Sequence, residues 1–203
     1  MNAARALEML RALGRPIVRT AEAAAVLGVS TSSASHLLAS LEAAGSVMRV
    51  IPGRWSVVGR PKPYVVASWL TDPYPSYVSL YTALSRWGVI TQVPRTIYVV
   101  SLDRTRTVTT PVATYSVHRM PPELFGGYED HDGERMAAVE KAVFDTLYLS
   151  RARGHRFRHL TEVELPAGFR PELLRRWVTR VSDPRVRSYV ETRVDDFLGC
   201  GTR

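Results

Sequence analysis

The 203-residue sequence predicts an α/β (α+β) protein in two parts: a small helical module with a strand pair over residues 1–63, then a mixed α/β domain over residues 64–203 that ends in a helical hairpin. Three observations predict it. Residues 20–55, TAEAAAVLGVSTSSASHLLASLEAAGSVMRVIPGRW, fit two short helices, a glycine turn and a strand pair. Residues 96–118 shift to β-branched and aromatic alternation, and residues 139–198 return to helical spacing. With 45% hydrophobic residues the chain has enough apolar surface for a core, which excludes a disordered chain.

The first element is an amphipathic helix over residues 3–13, with Ala3, Ala6, Leu7, Leu10 and Leu13 on one face, stopped by Gly14 and Pro16. Ile17 and Val18 suit a short strand. Thr20 is expected to cap the next helix, in which Ala21, Ala24 and Ala25 permit close packing, and Gly28 follows Leu27 where a left-handed residue is wanted. After the turn Gly28-Val29-Ser30, Ser30 or Thr31 accepts from the free N–H groups of a further helix that buries Ala34, Leu37, Leu38 and Leu41 and ends at Gly45. Its opposite face carries Ser32, His36, Ala39 and Ala43, flanked by Ser33, Ser35 and Ser40, small hydrogen-bonding groups able to approach base edges. Residues 47–51 and 55–58 read as a hairpin around Pro52-Gly53-Arg54, with a tip expected to be looser than two residues.

Helix, glycine turn, capped helix, glycine and hairpin in this order predict a winged helix-turn-helix. Thr31, Ser32, Ser33, Ser35 and His36 are then the candidates for contact along the recognition helix, and Arg49 and Arg54 for phosphate contact from the wing. Arg19 stands just before a helix whose N-terminus would face a phosphate. Arg60 and Lys62, in Gly59-Arg60-Pro61-Lys62-Pro63, add two cations at the expected domain boundary. The competing interpretation is a three-helix domain with serines on a solvated face.

Beyond the boundary, residues 64–70 and 77–87 read as helices around Asp72-Pro73-Tyr74-Pro75, the second burying Val78, Tyr81 and Leu84 before Gly88. Residues 96–102, 107–110 and 113–118 predict strands of a small mixed sheet. The acidic run of residues 126–135, GGYEDHDGER, reads as a solvated loop and not as a metal site, because ligands need separated, supported positions. Residues 139–149, VEKAVFDTLYL, predict a buried central helix with Lys141 and Asp145 paired along one edge. The basic cluster of residues 151–159 complements that helix's C-terminal dipole. Residues 171–181 should bury Leu174, Trp177, Val178 and Val181, and residues 184–198 Val186, Tyr189, Val190, Val194 and Phe197. The short linker Ser182-Asp183 makes these an antiparallel hairpin, which leaves Arg175, Arg176 and Arg180 as a second basic face for nucleic acid or an acidic protein.

The formal net charge of +8 favours a polyanionic partner, and eight cations against three acidic residues in positions 1–65 make that third the more basic per residue. No apolar run approaches the roughly 20 residues that span a bilayer, and residues 1–15 lack the apolar block of a secretory signal, so a cytoplasmic protein without membrane contact is expected. Cys200 alone forms no internal disulfide and no zinc site. No Gly-rich phosphate loop, metal spacing or nucleophile elbow is present, so no catalytic residue, metal or cofactor is expected.

Two stretches carry a family likeness. SLYTALSRWGVITQVPRTIYVVS, residues 79–101, and VEKAVFDTLYL resemble the AbiEi family of antitoxins from abortive-infection, type IV toxin–antitoxin systems: an alanine-containing helix ending in glycine, a proline and a strand, then a Glu-Lys-Ala helix after a small sheet. Trp87, before the glycine, departs from the smaller polar or histidine residue of that pattern. With the N-terminal module the likeness covers almost the whole chain. It implies a non-enzymatic repressor that binds double-stranded DNA at its own promoter, at inverted repeats, and neutralises a nucleotidyltransferase-like toxin with or without direct contact. The residues by themselves also fit a winged-helix regulator with a small-molecule sensor, and, as a third class, an enzyme of nucleic-acid metabolism.

Overall fold

The structure, a computed structural model, describes residues 2–151 and 163–200. Among these residues it is mixed α/β, with eight α-helices and two sheets. The first part runs α1 (Ala3–Arg11), β1 (Ile17–Arg19), α2 (Thr20–Leu27), α3 (Thr31–Ala43), β2 (Met48–Ile51) and β3 (Arg54–Ser56), with the strands in antiparallel order β1-β3-β2. Ala6, Leu10, Val18, Ala23, Ala24, Leu27, Ala34, Leu38, Leu41, Val47, Trp55 and Val57 form its core.

Local chemistry explains these boundaries and corrects several expectations. Thr20 does not cap α2; it is the first helical residue, and Glu22 reaches back to accept from the Arg19 N–H at 2.9 Å. The Thr20 hydroxyl instead accepts from Trp55 Nε1 at 2.9 Å, satisfying the one polar atom of a buried indole. Ala23 and Ala24 are the buried small residues of α2, while Ala21 and Ala25 are exposed. Gly28 takes φ 64°, and the N–H groups of Gly28 and Val29 close onto the carbonyls of Ala25 and Ala24, the bond pair that ends a helix in a left-handed residue. Ser30 caps α3 by accepting from the Ser33 N–H at 3.1 Å. The β2–β3 connection is tighter than expected: Pro52 and Gly53 alone form the tip, because Gly53 supplies φ 76° and a register shift between Arg49 and Ile51 absorbs the twist.

The second part contains α4 (Pro63–Ala67), β4 (Ser76–Val78), α5 (Leu80–Arg86), β5 (Ile97–Ser101), β6 (Arg106–Thr109), β7 (Thr114–Arg119), β8 (Tyr128–His131), β9 (Glu134–Ala137), α6 (Val139–Leu149), α7 (Pro171–Thr179) and α8 (Pro184–Cys200). Its six strands lie in the order β6-β7-β5-β4-β9-β8, with β5–β7 and β4–β9 parallel and the other neighbours antiparallel. Residues 77 and 78, expected in a helix, are therefore strand: they pair with β5 and β9, both distant in sequence. The acidic stretch 126–135 is not a loop but mostly the β8–β9 hairpin, turned at Asp132-Gly133, with Asp130 accepting from Arg135 and from the Gly133 N–H. Trp87, at the end of α5, donates from Nε1 to the Ala137 carbonyl at 2.8 Å and so ties that helix to β9. Tyr189 is exposed where burial was expected, its hydroxyl meeting Ser150 at 3.2 Å. The basic stretch from residue 152 onward lies outside the described residues; Arg151 stacks on the Tyr148 ring at 4.4 Å.

Helix α6 is buried on nearly every side and packs on α5, β9, α7 and α8. Lys141 and Asp145 do not lie along an exposed edge. Both side chains have no solvent exposure and are ion-paired. Asp145 also accepts from the Tyr77 hydroxyl at 3.1 Å and the Ser79 hydroxyl at 2.7 Å. The ammonium faces the rings of Trp177, Phe144 and Tyr77 at 4.5, 5.0 and 5.6 Å. Burial drives both members toward neutrality, lowering Lys141 and raising Asp145, and their mutual attraction opposes it.

Removing either partner leaves the other charge without compensation in the core. Lys141→Met and Asp145→Asn should each lose about 3–5 kcal/mol of unfolding free energy. The double variant, which keeps an acceptor for Tyr77 and Ser79, should recover part of that loss; denaturant unfolding of the three proteins measures the coupling.

Candidate nucleic-acid interface

Of the residues nominated for DNA contact, those on α3 lie together on an open surface. Thr31, Ser32, Ser33, Ser35 and His36 are all exposed, as are Ala39, Ser40 and Ala43, while Ala34, Leu38 and Leu41 face the core. Ser30 and Ser33 also share a hydroxyl contact of 2.8 Å, so the first turn is ordered by its own side chains. Leu37 is half-buried at the margin. Arg49 is exposed beside this surface, its backbone N–H held by Glu42 at 2.8 Å and its guanidinium 5.3 Å from the Trp55 ring centre.

The cations at the other edge are placed differently. Arg54 is not at a free wing tip. It is the first residue of β3, opposite Arg19 in the β1–β3 register, and its guanidinium donates to the Asp72 carbonyl at 2.5 Å and carboxylate at 3.2 Å. Arg19 forms an ion pair with the same carboxylate oxygen, Asp72 Oδ2, through Nε and a terminal nitrogen. The tip itself, Pro52-Gly53, is tied to the start of α2 by the Thr20 N–H donating to the Gly53 carbonyl at 3.0 Å. Arg60 and Lys62 also turn toward the second part of the chain, Arg60 reaching the Val112 carbonyl at 3.5 Å and Lys62 pairing with Glu134 at 3.4 Å. Both remain exposed, so these two contacts are weak.

Asp72 had no signal at short range: no cation stands within a helical turn of it in the sequence. What marks it is its setting, TDPYP, an acidic residue between residues that favour a fixed turn. Thr71 donates to the Tyr74 carbonyl at 2.8 Å, and Ser101 contacts the Pro75 carbonyl at 2.9 Å and Thr71 at 3.0 Å, so the larger core presents this carboxylate. Partial burial raises the Asp72 pKa, but the hydrogen bond from Arg19 and the charges of Arg19 and Arg54 outweigh it, and the group falls below the ordinary carboxylate range. Arg19 is raised in return, chiefly by its hydrogen bond to Asp72.

On the second basic face, two of the three arginines have partners nearby. Arg175 pairs with Asp195 of α8 at 2.9 Å, and Arg180 lies 4.3 Å from the Trp177 ring centre, where it also bears on the Lys141 ammonium. Arg175, Arg176 and Arg180 are exposed, yet two of the three have local work. Among the described residues, no three His, Cys, Asp or Glu side chains are grouped to hold a metal ion. No single helix among them is long and apolar enough to cross a membrane.

The sign of the Asp72 shift fixes a pH dependence. A carboxyl whose folded pKa is depressed adds stability that is fully present above its unfolded pKa and is lost as pH falls through the lower folded value. Thermal unfolding should therefore show Asp72→Asn less stable than the wild type at neutral pH, with the difference shrinking below about pH 4. Comparison with models of known protein families finds no matching family, and comparison with curated proteins finds no matching relative.

Proposed function

We propose that residues 1–63 form a winged helix-turn-helix that binds double-stranded DNA, with α3 as the recognition helix and the β2–β3 hairpin as the wing. The observation that carries the proposal is the exposed face of α3, where Thr31, Ser32, Ser33, Ser35 and His36 stand clear of the core on a helix capped by Ser30. Short polar side chains in the first two turns of a helix suit the approach of a major groove. Arg49 beside them supplies a cation for the backbone.

Together with the resemblance to the AbiEi antitoxins, this supports a cytoplasmic DNA-binding antitoxin that represses its own operon and neutralises a nucleotidyltransferase-like toxin, through a C-terminal domain built on residues 64–203. A winged-helix regulator with a ligand sensor is the second reading. It is favoured by a cleft of about 710 Å³ between the two parts, lined by Arg15, Trp69, Asp72, Tyr74 and Arg135 among others. A small molecule that raises the melting temperature and alters operator affinity would select the second reading.

Base reading and phosphate binding separate in titrations. His36→Ala combined with Ser32→Ala should lower operator affinity by about 1–3 kcal/mol per lost base contact and leave random-duplex binding almost unchanged. Arg49→Ala should weaken both duplexes and flatten the salt slope by about one. Unchanged binding in both variants would remove this surface from the interface. Co-expression with a nucleotidyltransferase-like toxin from the same operon tests the antitoxin assignment: Arg176→Glu, which leaves the Arg175–Asp195 pair and the Arg180–Trp177 stack in place, should reduce rescue more than operator binding. Loss of operator binding with intact rescue would reverse the assignment of that face.

A further inference from the structure

We propose that Asp72 acts as an internal substitute for a DNA phosphate, holding Arg19 and Arg54 in reserve so that the chain binds DNA at full strength only when a backbone phosphate displaces this carboxylate. The inference rests on the winged-helix reading and concerns the regulation of that same surface.

The geometry is that of an occupied anion site. Arg19 immediately precedes α2, Arg54 immediately follows the wing tip, and the two face each other in the β1–β3 register. Cations at these places are where a recognition module grips the backbone: one at a helix start, one at the wing. Both converge on a single oxygen of one carboxylate, Asp72 Oδ2. The acidic residue comes from the other part of the molecule, on a turn that Thr71 and Ser101 hold in place. A phosphodiester carries the same single negative charge, so the exchange changes no net charge at the site.

The contact is built to be exchanged. The Arg19 side chain is 43% exposed, whereas Arg54 and Asp72 are 20% and 18% exposed, so water and a ligand reach the cluster from the Arg19 side. A half-exposed ion pair of this kind contributes modest net stability, and a phosphate arriving from the open side competes with the carboxylate for the same donors. Arg54 also has a buried Nε without a hydrogen-bond partner, a donor that the present arrangement leaves unused. By contrast, Lys141 and Asp145 are wholly enclosed and have no route to a ligand.

The test uses the full chain and a random-sequence duplex over a range of salt concentrations. It compares the wild type, Asp72→Asn, the pair Arg19→Ala/Arg54→Ala, and all three changes together. Asp72→Asn should bind more tightly, with a salt slope steeper by about one unit, so that its advantage falls about three- to fourfold when salt rises fourfold. In the double-arginine background the same change should have no effect. If Asp72→Asn binds with the affinity and slope of the wild type, while His36→Ala with Ser32→Ala still lowers operator affinity, the pair is structural only and this inference fails alone. If no protein binds duplex DNA, the winged-helix reading and the inference fall together. Asp72→Ser serves as the second variant, checked by cooperative thermal unfolding. Should both Asp72 variants lose cooperative unfolding, the contact is required for the fold and is no exchangeable lock.

Discussion

A lysine and an aspartate with no solvent contact hold the larger core in register. Enclosing two charges costs several kcal/mol per ion unless each finds compensation. The compensation here comes from four elements at once. Tyr77 of β4 and Ser79 at the start of α5 donate to Asp145, and Trp177 of α7 and Phe144 of α6 itself face the ammonium. The constraint reaches the backbone at Gly127, whose φ is +70°; a Cβ there would stand 2.5 Å from Trp177 and 3.1 Å from Lys141. A side chain at this position would push the ring from its cation, so the hairpin β8–β9 begins where the cage permits it.

The smaller sheet depends on that core in turn. Val18 points into the helical core of α1–α3, and its neighbour Ile17 joins the apolar cluster of the second part together with Val50. Strand alternation produces this division directly, since successive side chains face opposite sides. The three-stranded sheet is thus a shared wall. Apolar packing crosses the expected boundary at residues 59–63. The pair of Arg19 and Arg54 with Asp72 stands at the rim of that wall, where the apolar contact gives way to solvent.

Local signals in the sequence were sufficient wherever the determinants were local. Helix α3 needed only Ser30, the spacing of Ala34, Leu38 and Leu41, and Gly45. Helix α6 occupies the very residues that its apolar density predicts. Residues 77 and 78 carry a helical pattern because Val78, Tyr81 and Leu84 have helical spacing, while their strand partners, Val100, Val99 and Met136, are distant in the chain. The burial of Lys141 was hidden for the same reason, as an i, i+4 pair looks alike on a surface and in a core. Among the nominated contact residues, the side chains on α3 could be placed from helical phase alone. The cations could not, since their disposition depends on Asp72, Glu134 and Val112, each far along the chain.

That last point bears on what a net charge can say. The first third of the sequence looks strongly basic, yet Arg15 pairs with Glu22, Arg19 and Arg54 share Asp72, and Lys62 meets Glu134. Asp72 and Glu134 come from outside that third and cancel part of its field at short range. What remains open beside α3 is chiefly Arg49, a modest field. On the reading of α3 proposed above, a field so reduced favours discrimination over general adhesion, because weak phosphate attraction leaves base contacts a larger share of the total. The cations that pair with Asp72 flank the β2–β3 tip and the start of α2, and the acidic residue that holds them belongs to the second part of the molecule, so their charge is set by a contact between the two parts.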